Sequence, residues 1–110
     1  MSASNPFFTN EEMVSILSLD SDFLDDPSNA DRLQNLSLAA SDFLLNRTGH
    51  DWSVDIPKNP TAYNTARLYV IQSFHLGTEI SDKYDYSIGI SANLIDLINI
   101  VRREKNGVHC

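Results

Sequence analysis

Two Asx-Pro pairs punctuate this chain. Asp26-Pro27 and Asn59-Pro60 each offer a side-chain acceptor at an N-cap, followed by a proline at the first helical position. There the missing N–H costs nothing and the ring's φ is already helical. Behind the first pair, Leu33, Leu36, Ala40, Phe43, Leu44 and Arg47 recur at intervals of three and four, the period of an amphipathic helix. Thr48-Gly49 closes it, because glycine tolerates the left-handed C′ conformation. The spacing predicts about five turns. Behind the second pair, Ala62, Tyr63, Ala66, Tyr69, Val70, Phe74 and Gly77 form one stripe, with Leu68, Ile71 and His75 beside it. A helix apolar around most of its circumference is expected to be the central one.

The remaining segments are shorter or weaker. Thr9-Asn10-Glu11-Glu12 reads as a capping box, with Phe8 and Met13 at the staple positions, and starts a short helix over residues 10–17. Residues 18–26 are acidic and irregular. Trp52, Val54 and Ile56 alternate, but no partner strand is visible, so residues 50–58 read as an extended connector that tucks Trp52 against the helices. Residues 79–90 read as a loop. Ser91 is expected to cap a fourth helix whose core face is Leu94, Ile95, Leu97, Ile98 and Val101. Asn106-Gly107 stops it.

The expected architecture is all-α, a small helical bundle of three main helices plus a short N-terminal helix. Residues 1–8 form an N-terminal segment, 9–105 the helical domain and 106–110 a tail. The expected core is Leu33, Leu36, Ala40, Phe43, Tyr69, Val70, Phe74, Leu94, Leu97, Ile98 and Val101. At 110 residues the chain has room for one such core.

Charge narrows the function. Lys and Arg number 8 against 15 Asp and Glu, for a net charge of −7. Phosphate binding needs basic side chains to displace counterions, so a grip on nucleic acid is disfavoured, as is an anionic membrane surface. The charge is also uneven. Residues 1–55 carry ten acids against Arg32 and Arg47, a net −8. Residues 56–110 carry six bases against five acids, a net +1. The polarity suits either a solvated surface or head-to-tail complementarity in an assembly. A DNA-binding helix-turn-helix is also disfavoured, because the connection from Arg47 to Pro60 is too long for that motif and the first half of the chain is acidic. Cys110 is the one cysteine, so an intrachain disulfide is ruled out. No signal peptide or membrane span is expected.

No catalytic, metal-binding or cofactor-binding constellation stands out. His50, His75 and His109 fall in a connector, a helix and the tail. His75 and Glu79 offer two ligands at most, short of a metal centre. Asp20, Asp22, Asp25 and Asp26 suggest a calcium loop. Counted from Asp20, however, the sixth position is Asp25 where glycine is required, and the twelfth is Asp31 where glutamate is. What stands out instead is contact chemistry. Tyr84, Tyr86, Ile88 and Ile90 alternate in a polar setting and read as a patch that either folds back on the bundle or is covered in an assembly. Arg102, Arg103 and Lys105 crowd one helix end, more cations than the dipole needs.

The order of elements resembles the head–tail connector (adaptor) family of tailed bacteriophages. The resemblance runs over residues 9–103. It rests on the Thr9-Asn10-Glu11-Glu12 box, the helix from Asp31-Arg32-Leu33 to Asn46-Arg47-Thr48-Gly49, the proline-started helix with Ala66-Arg67-Leu68-Tyr69-Val70 and Phe74-His75, and the helix ending in Arg102-Arg103. It implies a structural virion protein, assembled in the bacterial cytoplasm. Such a protein forms a ring with itself, usually of twelve copies, below the portal protein, extends the DNA channel and docks a stopper or tail-completion protein. DNA is then passing cargo. The family's C-terminal part reaches toward the portal, so Arg102, Arg103, Lys105, Val108, His109 and Cys110 become candidate portal contacts. Tyr84, Tyr86, Ile88 and Ile90 become a second contact patch. The alternative is a small cytoplasmic helical regulator that binds a protein partner.

Overall fold

A computed structural model describes residues 3–76 and 86–105, and among these it holds helices and no strand. The helices are α1 (Asn10–Ile16), α2 (Pro27–Thr48), α3 (Pro60–Leu76) and α4 (Ser87–Lys105). Two short 3-10 turns, Ser21–Asp25 and Trp52–Val54, lie in the connections. The all-α bundle expected from the spacing is what the chain forms.

The helix ends follow the local chemistry. Thr9 Oγ1 accepts from the Glu12 N–H at 3.1 Å, and Glu12 Oε1 accepts from the Thr9 N–H at 2.9 Å, a complete capping box. Asp26 Oδ1 accepts from the Ser28 N–H at 2.9 Å. Asn59 Oδ1 accepts from the N–H groups of Thr61 and Ala62 at 2.8 and 3.1 Å. Gly49 ends α2 at φ +83°, and its N–H donates to Leu45 O. With 22 residues α2 is about six turns, one more than expected.

α4 begins earlier than the Ser91 cap suggested. Residues 87–90 are already helical, and the Ile90 N–H donates to Tyr86 O at 2.9 Å. Two tertiary contacts hold this extra turn. Gln72 Oε1 on α3 accepts from the Tyr86 N–H at 3.0 Å. Gly89 lies against Leu68, where an added Cβ would stand 3.3 Å from Leu68 Cδ1. A glycine that reads as a loop signal is here a close-approach point between α3 and α4.

α2, rather than α3, touches every other element. Its buried face is Leu33, Ser37, Ala40, Ser41 and Leu44, mostly small side chains that let the rest of the chain come close. Ala62, Thr65, Ala66 and Val70 of α3 and Leu94 and Leu97 of α4 are buried with it. Of the expected core, Leu33, Ala40, Val70, Leu94 and Leu97 are buried. Leu36, Phe43, Tyr69, Phe74, Ile98 and Val101 are only half-buried, because a three-helix core this small is shallow and its flanking positions stay wet. Ile95 is exposed, pointing away from the seam occupied by Leu94 and Leu97.

The volume those residues leave is filled from outside the helices. Phe7 and Phe8 are almost fully buried, with ring centroids 5.0 Å apart, and Phe8 meets Tyr63 edge-on at 5.1 Å. The segment before α1, set apart by sequence as residues 1–8, thus supplies two of the largest core side chains. Trp52 is buried as expected. Its Nε1–H donates to Thr48 Oγ1 at 2.8 Å, which ties the connector to the end of α2.

Three substitutions on α2 separate these contributions. Leu33→Ala is expected to cost about 2–5 kcal/mol. Ser37→Ala is expected to cost about 1–3 kcal/mol, because it leaves the buried N–H and C=O of Phe8 without their partner. Ser41→Ala is expected to be neutral or slightly stabilising, because the buried Ser41 hydroxyl has no hydrogen-bond partner among the described residues. Urea unfolding of the three variants checks the order.

Candidate functional site

The sequence pointed to two places, and the structure treats them differently. Arg102 and Arg103 are exposed on the last described turn of α4. Arg103 Nε donates to Asn99 O at 3.4 Å, and no carboxylate lies within ion-pair distance of either guanidinium among the described residues. The two arginines border an open groove with Asp96, Asn99 and Ile100. Lys105 is the final residue of α4. Val108, His109 and Cys110 lie outside the described residues.

The second patch does not hold together as one surface. Ile88 and Ile90 are both in the first turn of α4, and positions two apart on a helix face nearly opposite ways. Ile88 is 88% exposed, whereas Ile90 is 8% exposed and belongs to the core. Tyr86 is half-buried and packs on that core. Tyr84 lies outside the described residues. An alternating strand-like pattern was the wrong period for a segment that is helical from Ser87.

Ile90 instead lines a cleft of about 240 Å³ between α2, α3 and α4. Phe43 stacks on Tyr69 there at 4.6 Å, and the Arg47 guanidinium lies over Phe43 at 5.1 Å. Arg32 lies over Phe74 at 4.7 Å and Lys58 over Phe7 at 5.5 Å. Among the described residues, three cations of this acidic chain thus sit on aromatic faces rather than on carboxylates.

Residues 3–8 form a strap that sequence reasoning missed. The Ala3 N–H donates to Asp42 Oδ1, the Ser4 N–H to Asp51 Oδ2 at 2.8 Å, and the Asn5 N–H to Ser53 Oγ at 3.3 Å. The Phe8 N–H donates to Ser37 Oγ at 2.7 Å, and that hydroxyl donates back to Phe8 O at 3.0 Å. The adjacent Phe7-Phe8 pair was the available signal, since two large rings in sequence have to be covered somewhere. Burial alone pushes the Asp51 carboxyl up, but the hydrogen bonds from Ser53 and Ser4 together outweigh it and hold the group below its usual range.

The described residues supply little for covalent chemistry. His50 Nε2 pairs with Asp55 Oδ2 at 2.9 Å, and the His50 ring stands edge-on to Trp52. The nearby Thr48 hydroxyl donates to Leu44 O and accepts from Trp52, so it is held as a structural link. No three His, Cys, Asp or Glu side chains come together as a metal-ligand set among the described residues. Nor is any helix among them long and apolar enough to cross a membrane. What the arrangement offers is surface for contacts: an exposed face of α4 that ends in arginines with no carboxylate partner among the described residues. No protein-family model, curated protein or solved structure matches the chain.

The strap makes a pH prediction. A carboxylate whose pKa is lowered by folding adds stability above its unfolded value, and that stability is lost as pH falls through the lower folded value. Asp51→Asn keeps an oxygen acceptor but cannot ionise. Its stability is therefore expected to fall less steeply than wild type as pH drops below the ordinary carboxyl range of about 4. Denaturant midpoints taken as the pH is lowered check this.

Proposed function

We propose that the chain is a head–tail connector of a tailed bacteriophage, an adaptor in the virion neck between the portal and the stopper or tail-completion protein. The observation that carries this reading is the exposed end of α4. There Arg102 and Arg103 stand side by side with no carboxylate partner among the described residues, on a helix whose opposite face is locked into the bundle. An arginine pair held this way on a rigid element is poised for charge-assisted hydrogen bonds to a partner's carboxylates. The order of helices over residues 9–103, the all-α bundle and the want of a reacting group among the described residues agree with a structural role.

The acidic surface fits a channel wall. Phosphates are repelled by the exposed Asp20, Asp22, Asp25, Asp26 and Asp31, so a duplex slides past instead of being held. In this role DNA is cargo, and the working partners are proteins: the portal, the stopper and further copies of the chain.

The test is co-purification with a phage portal protein. The full chain is expected to join the portal ring. A variant lacking residues 104–110 and carrying Arg102→Ala and Arg103→Ala is expected to keep its helical circular dichroism and lose the portal. If the variant joins as well as the full chain, the portal contact lies elsewhere on the bundle. If the full chain fails to join, the adaptor reading is wrong. Duplex DNA is expected not to bind at about 1 µM protein in physiological salt.

A further inference from the structure

Among the described residues the large exposed apolar side chains fall in two separate places. Val54 (47% exposed) and Ile56 (95%) flank Asp55 on the connector between α2 and α3, and Ile88 and Ile95 (61%) lie two turns apart on α4. Tyr63 is the fifth, and its ring is engaged by Phe7 and Phe8.

The α4 residues belong to a strip. At the helical period, Ile88, Ala92, Ile95, Asn99 and Arg102 stay on one face, about 21 Å long, and all five are exposed. The strip is apolar at its start and cationic at its end, with Arg103 beside Arg102. The connector patch has the opposite character. Its two apolar side chains flank the Asp55 carboxylate, whose Oδ2 meets His50 and whose other oxygen is in no ion pair among the described residues. Asp51 is close by in sequence, and Lys58 is turned onto the Phe7 ring. Two connectors bring carboxylates together, and two strips offer the arginines mainly isoleucines, with Asp96 at the strip's edge. Set against each other, apolar meets apolar and arginine meets aspartate.

We propose that the α4 strip of one copy binds the Val54, Asp55 and Ile56 connector of a second copy. The contact is head-to-tail, so every added copy leaves one free patch of each kind, and growth continues until the assembly closes. Closure as a ring under a portal rests on the function proposed above; the contact itself does not.

Ile56→Glu and Ile88→Glu each disable one patch at an exposed position, and circular dichroism checks that both variants fold. Sedimentation velocity is run from about 10 µM to about 1 mM, the range of a small transient contact. Wild type is expected to grow with concentration, and each variant to remain monomeric. An equimolar mixture of the two is expected to form a 1:1 dimer and stop there. One partner keeps its strip, the other keeps its connector, and both remaining patches are blocked. A wild type that stays monomeric throughout overturns the proposal, and so do variants that fail to recombine. Continued growth of Ile56→Glu alone also overturns it, because α4 then pairs without the connector. Portal co-purification is read separately, so assembly without portal binding supports this contact and counts against the adaptor role.

Discussion

The Ser37 hydroxyl accepts a hydrogen bond from the Phe8 N–H and returns one to the Phe8 carbonyl, and both are buried. This exchange is what lets an irregular, non-helical segment lie against the middle of α2. Backbone polar groups out of water need partners, and a segment outside any helix or sheet has no regular set of its own. A small side chain on α2 both makes the room and supplies the partner. With the strap in place, Phe7 and Phe8 close the core over Met13, Leu33 and Ala62. Without it, the shallow three-helix core would expose that surface.

The same economy runs through the electrostatics. A net charge of −7 leaves the cations outnumbered, yet Arg32, Arg47 and Lys58 lie on aromatic rings. In each case the charged group itself lies over the face of a half-buried or buried ring. The carboxylates do a different job. Asp42 and Asp51 take backbone N–H groups of the strap, and Asp26 caps α2. The acids that remain on Asp20, Asp22, Asp25 and Asp31 are exposed and solvated. Arg102 and Arg103 therefore stand apart as cations that meet neither a ring nor a carboxylate among the described residues.

That contrast sets α4 apart as a helix with one packed face and one open face. One face, with Ile90, Leu94 and Leu97, is fixed by packing on α2 and α3, and the other carries Ile88, Ile95 and the arginines into solvent. A rigid helix with one locked face presents the other without the ordering cost that a loop pays on binding. The connector with Val54 and Ile56 is held almost as firmly. Trp52 is anchored to Thr48, and His50 is braced between Trp52 and Asp55. Both proposed contact surfaces are thus mounted on anchored elements.

Much of this was legible in one dimension. The capping box, both Asx-Pro helix starts, the Gly49 stop and the burial of Trp52 follow from short-range chemistry: a side-chain oxygen reaching an N–H two or three residues on, a locked φ, a glycine at positive φ. So did the exposure of Arg102 and Arg103, which the helical period puts beyond the core face. Three features were decided only in three dimensions. The start of α4 depends on Gln72 and Leu68, contacts from another helix that turn a loop-like Ser87-Ile88-Gly89 into a helical turn. The division of Ile88 from Ile90 follows from that, since the period changes from two to three and a half. The strap depends on Ser37, twenty-nine residues from Phe8, and no local pattern announces a partner at that distance. Sequence by itself determined where helices begin and end, because those signals act within one turn. Tertiary structure decided what covers the core and which apolar residues remain outside, because both depend on which surfaces are brought within reach of one another.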